Sequence, residues 1–314
     1  MPGTVPSEPL RSRLARRRLL VVTGKGGVGK SAVAATLGRL LAGSPAPATG
    51  QPRRVLVFEV DPRENLHQML GLPPSGGEIA DAGGGLYLQN LKPRQVLDRI
   101  VAERIPLEAI RRRVQASPVY QQFAEGAPGL KEVAILGHAL RLVRGLDPDA
   151  FGQKFDLVIL DAPATGHGVS LLAAPRLLSE VIRRGPFGEM GAELAEFVAD
   201  PEQAGIVVVT TPEEMPVHEA LELRRGLAER LDREPELLVI NAVYPPFPRG
   251  ESPGDDPVLA LWQDRRMLQE REIERLERDW AGPRLELPKL PEDRGPELVA
   301  TLTRCLEREL AAWR

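Results

Sequence analysis

Residues 19–42 read LLVVTGKGGVGKSAVAATLGRLLA, and the stretch divides into three parts. Leu19 to Thr23 is a short apolar run rich in strand-forming residues, Gly24 to Ser31 matches G-x-x-x-x-G-K-S, and a helical pattern follows. Strand, glycine-rich loop and helix in that order make a phosphate-binding loop. Gly24, Gly26, Gly27 and Gly29 carry no Cβ. The backbone amides running from Gly24 through Val28 into Lys30, Ser31 and Ala32 can therefore converge on phosphates at the positive end of the helix. Lys30 is placed to reach the β- and γ-phosphates and Ser31 to set its hydroxyl on Mg²⁺, which makes ATP with Mg²⁺ the expected ligand.

Lysine usage points the same way. Of 41 basic residues only six are Lys, at positions 25, 30, 92, 131, 154 and 289, and two of the six share this loop. A chain that otherwise uses Arg for solvated charge keeps Lys where a compact ammonium on a flexible stem is needed. Lys25 sits ahead of Gly26-Gly27-Val28-Gly29 and cannot readily reach the oxygens that Lys30 serves from the same side. A second cation facing out of the loop suits delivery to the nucleotide of another subunit, as an arginine finger acts.

Working outward, Val55 to Val60, Leu157 to Asp161, Ile206 to Thr210 and Leu237 to Asn241 are further apolar runs separated by longer helical stretches. Nearly continuous apolar strands are covered on both faces, so the pattern predicts an α/β fold with a mostly parallel, doubly wound sheet. Its ligand should lie beyond the carboxyl ends of the strands. Residues 92–150 and 172–203 are helical in pattern and predict a helical subdomain inserted into a domain spanning 18–314. Residues 1–17, with Pro2, Pro6, Pro9 and four arginines before Arg18, predict a flexible basic tail. The stripe Val133, Leu136, Leu140 and Val143, widened by Ile135, Ala139 and Leu142, suits packing on two sides or contact with a client.

Several motifs carry a resemblance to a known family. GKGGVGKS resembles the deviant Walker A loop whose extra lysine acts across a dimer. ATPases with that loop include the arsenite-pump subunit (ArsA), the tail-anchored-protein targeting (Get) ATPases, the MinD and ParA positioning ATPases and the nitrogenase iron protein. VILDAPATGHG, Val158 to Gly168, is similar to the switch II of the ArsA/Get branch, D-T-A-P-T-G-H. Asp161, Thr165, Gly166 and His167 match, whereas Ala162 to Ala164 depart from it. VDPRENL, Val60 to Leu66, resembles the switch I, D-P-A-H-S-L, with Asp61, Pro62 and Leu66 matching. The resemblance implies that Asp161 holds Mg²⁺ through water and that Asp61 orients or deprotonates the attacking water. VVVTTPEEMPVHEA, LLVINAVYPP and LELPKLPEDRG extend the likeness almost to the end of the chain. By the same resemblance Asn241 reads adenine and the turn Leu287 to Asp293 closes over the base. The implied protein is an ATP-driven switch, a homodimer or a heterodimer with a paralogue, that moves against a client protein. A MinD/ParA-like positioning ATPase and a weakly active regulatory subunit are the alternatives.

Composition excludes other classes. Basic residues number 41 and acidic residues 44, a net charge of −3, so no overall field draws the chain to nucleic acid or anionic lipid. Cysteine occurs once, at Cys305, too few for an arsenite site, a C-x-x-C zinc clamp or an intersubunit iron–sulfur cluster. A single thiol also fits a reducing, cytoplasmic setting. No apolar run approaches the ~18 residues that span a bilayer.

Overall fold

The computed structural model describes residues 9–45, 50–61, 63–105, 107–118, 120–121, 129–146, 154–163, 168–182, 186–247 and 256–313. Among them, eight strands form one sheet: β1 (Leu19–Thr23), β2 (Val55–Glu59), β3 (Ala80–Gly83), β4 (Leu86–Asn90), β5 (Leu157–Asp161), β6 (Ala204–Thr210), β7 (Leu237–Val243) and β8 (Arg284–Pro288). Their order is β3-β4-β2-β5-β1-β6-β7-β8. Only the β3–β4 pairing is antiparallel. The fold is the mostly parallel α/β sheet that the apolar runs predict.

Every residue of β1, β2, β5 and β6 is buried. Successive side chains enter opposite cores, as the strand period of two demands. Leu19, Val21, Phe58, Leu160 and Ile206 meet the helices of one face. Leu20, Val22, Val57, Ile159 and Val207 meet those of the other. Each such side chain withdrawn from water contributes roughly 1.5–3 kcal/mol, which is why these strands read as unbroken apolar runs.

The second of those faces carries α1 (Leu10–Arg16), α2 (Lys30–Ala42), α3 (Asn65–Leu70) and, C-terminal in the chain, a helix over Pro296–Ala312. The other carries α4 (Pro93–Arg104), α6 (Leu130–Arg144), α7 (Gly168–Val181), α8 (Pro186–Ala199), α9 (Glu214–Leu231) and α10 (Pro257–Asp279). Between them in sequence, α5 (Glu108–Gln115) buries no residue, and the helix over 296–312 is α11.

Residues 10–17 depart from the expected flexible tail. Leu10 and Leu14 of α1 are buried one helical turn apart, and Arg17 forms a buried ion pair with Glu236. Charge did not free this segment because the leucines and Arg17 all find partners. Residues 1–8 lie outside the described residues. The apolar stripe of α6 is inside the core: Val133, Leu136 and Ala139 have no exposed surface, and α6 packs against β1 and β5. No described helix is long and apolar enough to cross a membrane.

Candidate nucleotide-binding site

The carboxyl ends of β1, β2 and β5 bring the predicted residues together. Asp161 of β5 pairs in register with Val22 of β1 on one side and with Glu59 of β2 on the other. The glycine loop therefore leaves β1 beside two carboxylates from strands far away in sequence.

Gly24, Gly27 and Gly29 take φ angles of 147°, 88° and 93°, which side chains rarely tolerate. A Cβ on Gly24 would also strike the Val209 carbonyl of β6, and one on Gly29 would strike the Asn241 side chain. Gly29 caps α2 without a side chain, and the first helical bond runs from Val33 N to Gly29 O at 3.0 Å. The amides of Lys30, Ser31 and Ala32 precede that bond, so they are left for an anion.

Lys30 is 7% exposed, and its Nζ donates to the Lys25 carbonyl at 2.9 Å. Burial lowers its pKa, and the charge of Asp161 opposes that effect. Burial likewise pushes Asp161 up to about 6, against the hydrogen bond with Ser31 and the charge of Lys30, while Asp61 adds to the rise. Asp161 Oδ1 is buried without a hydrogen-bond partner. A buried acceptor lacking a donor, beside a hydroxyl and in reach of phosphate-binding amides, fits hydrated Mg²⁺ bound with a nucleotide.

Asp61 follows β2. Its Oδ1 accepts from Arg63 N at 2.7 Å. Asn90, at the end of β4, donates to Asp61 O at 2.8 Å and accepts from Asp61 N at 3.3 Å, which fixes the backbone on both sides of that residue. Gly29, Lys30, Ser31, Asp61 and Asp161 line one cavity of about 370 Å³ together with Glu59, Asn65 and Arg294.

Lys25 points elsewhere. Its Nζ lies 2.7 Å from Glu219 Oε1 on α9 of the same chain. Asn241 donates from Nδ2 to Val28 O at 2.9 Å, so this amide braces the loop. A groove of about 790 Å³, lined among others by Ala242, Tyr244, Trp262 and Lys289, opens beside it. The switch II residues Thr165, Gly166 and His167 lie outside the described residues.

The sequence reading missed four contributors. Glu59 is 1% exposed, and burial raises its pKa to about 8, opposed by the hydrogen bond from the Leu66 amide and reinforced by Asp161, Asp61 and Glu64. Its signal was a carboxylate inside the apolar run VLVFEV. Asn90 carried no local signal, and Glu219 and Arg294 lie in the family-like segments VVVTTPEEMPVHEA and LELPKLPEDRG without standing out there, because only the folded chain brings them to Lys25 and to the cavity.

A model of the anion-transporting ATPase family matches residues 17–191, more than half of the chain. The chain belongs to that family, the ArsA family. ATPase BagA of Mycobacterium tuberculosis is 32% identical over 228 residues, which cover 69% of this chain and 63% of that protein. The arsenical pump-driving ATPase of Acidiphilium multivorum is 28% identical over 262 residues, 78% of this chain and 42% of that one. The ATPase ASNA1 homolog of Leishmania braziliensis is 29% identical over 191 residues, 52% of this chain and 45% of that one. The matches thus span less than two thirds of each of these relatives. Their names give the enzyme class that the glycine loop implies, and the resemblance of GKGGVGKS and DAPATGH is to the family found.

Proposed function

We propose that this ArsA-family chain binds ATP with Mg²⁺ in the 370 Å³ cavity and hydrolyses the γ-phosphate, and that the cycle drives a dimeric switch acting on a client protein. The observation that carries this is the uncapped start of α2, with Lys30 beneath it and the partnerless Asp161 Oδ1 alongside. The amides of Gly29 to Ala32 and the Lys30 ammonium cradle the phosphates. Ser31 and, through water, Asp161 hold the metal, which when bound offsets charge on the β- and γ-phosphates. Asp61 orients the attacking water and takes up its proton, on a backbone that Asn90 fixes. Ala242, the residue after Asn241, and Lys289 of the turn line the groove where the adenine lies, which puts Asn241 between that groove and the loop. Lys25 leaves Glu219 when a second subunit closes over the site and offers that subunit's nucleotide a cation. The single Cys305 supports a cytoplasmic setting and no arsenite or zinc role.

Lys30→Ala tests the assignment. Binding of a fluorescent ATP analogue and phosphate release should both fall to background, because no other loop side chain puts a cation under the phosphates. Normal turnover in that variant would refute the site.

A further inference from the structure

We propose that Glu59 is a positioning residue linking metal to switch: one carboxylate oxygen holds α3, and the other accepts a hydrogen bond from water on the Mg²⁺ that Ser31 and Asp161 hold. The inference rests on the Mg²⁺·ATP reading of the same cavity and adds a residue to it.

Glu59 ends a strand whose other residues are Val55, Leu56, Val57 and Phe58, all without exposed surface. A carboxylate in that position costs several kcal/mol of desolvation unless donors meet it. One donor is present: Leu66 N, in the first turn of α3, donates to Glu59 Oε1 at 2.9 Å. Oε2 is sealed from solvent without a hydrogen-bond partner. Across the strand pair stands Asp161, whose Oδ1 is in the same condition. The charges acting most on Glu59 are Asp161, Asp61 and Glu64, all of its own sign. Two partnerless acceptors on adjacent strands, lining the cavity of Lys30 and Ser31, call for donors that carry positive charge.

Water on a divalent cation is such a donor, since the ion polarises its O–H bonds toward carboxylates. Glu59 then has both oxygens satisfied only when the metal is in place. Its Oε1 contact lies at the start of α3, directly after the turn that carries Asp61, so occupancy of the metal site and the position of the water-orienting carboxylate are coupled through one side chain. Holding α3 uses only Oε1, so a role in the fold alone leaves the buried Oε2 unaccounted for.

The test measures the Mg²⁺ dependence of binding of a fluorescent ATP analogue, with Mn²⁺ binding followed by electron paramagnetic resonance. Glu59→Gln keeps an acceptor for Leu66 N but loses the carboxylate. Outer partners of metal sites typically contribute 10–100-fold to metal affinity. The Mg²⁺ needed for half-saturation should rise by about that factor, while nucleotide binding in chelator stays near that of the wild type. Glu59→Asp, which keeps the charge but withdraws it by one methylene, should also raise the Mg²⁺ requirement. An unaltered Mg²⁺ and Mn²⁺ affinity in both variants would overturn the proposal. So would equal losses with and without metal, which would make Glu59 a support of the loop. Wild-type protein that takes up no nucleotide under either condition would sink the proposed function itself, a result distinct from normal uptake with an unchanged metal requirement.

Discussion

Replacing Glu219 by Gln should raise ATP turnover slightly, whereas replacing its partner Lys25 by Ala should nearly abolish it. The two side chains meet at 2.7 Å, with 31% and 35% of their surfaces exposed. An ion pair that open to water contributes about 0.2–1 kcal/mol. Freeing Lys25 therefore enlarges its unpaired fraction by about fivefold at most, since 1 kcal/mol is roughly a factor of five in an equilibrium. Turnover can rise by no more than that factor where the availability of Lys25 limits it. In the proposed role Lys25→Ala instead removes a cation that would stabilise charge on the transferred phosphoryl group, an expected loss of ~10³-fold or more. Opposite ends of one salt bridge thus give effects of opposite sign and very different size. Phosphate release measured at several protein concentrations reads both, because a lysine acting across subunits needs assembly. Mixing Lys25→Ala with Asp61→Asn should restore activity, since one site of a mixed dimer has its own Asp61 and its neighbour's Lys25. If Glu219→Gln fell as far as Lys25→Ala, the pair itself would be the working arrangement and action across subunits would be refuted.

Asp61→Asn should retain Mg²⁺·ATP binding and slow hydrolysis by ~10² to 10⁴, the range for a lost base; lost binding with unchanged turnover per bound ATP would make Asp61 structural. Gly24→Ala should lower the melting temperature and nucleotide affinity together, because φ is 147° and the new methyl meets the Val209 carbonyl. The backbone strain alone costs about 1–3 kcal/mol, and an unchanged melting temperature would contradict the loop geometry. Glu59 makes nucleotide-free stability depend on pH. Below about pH 4.5 the carboxyl is protonated in folded and unfolded chains alike, and up to about 8 only the unfolded chain releases the proton, so the wild type loses stability as pH rises. The melting temperature of Glu59→Gln relative to wild type should therefore climb from pH 5 to pH 8, and a constant difference would count against the buried-carboxyl assignment.

The central sheet was legible because its strands are buried on both faces and so spell themselves as apolar runs: Leu19–Thr23 and Leu157–Asp161 have the bounds that the sequence predicts. The outer strands were not. The short β3 carries half-exposed Ala80 and Ala82, and β8 alternates buried Leu285 and Leu287 with an exposed Glu286, the mark of sheet edges with one wet side. In α1 the four-residue spacing of Leu10 and Leu14 was readable, yet the surrounding arginines masked it. The loop glycines, Lys30 and Ser31 were legible because one contiguous segment holds them. That Glu59, Asn90 and Asp161 meet was not, since strand order decides which residues share a level, and β2 neighbours β5 and β4 only in the folded sheet.

The contact of Gly24 with the Val209 carbonyl has a mechanical side. A loop whose first residue abuts the backbone of a central strand is braced by the sheet, and α11 packs against α2, the helix that continues the same unit. The phosphate cradle is thus the fixed jaw of a vice. Whatever stroke the loss of a phosphate were to deliver would have to be taken up outside the loop, α2 and the strand on which the loop rests.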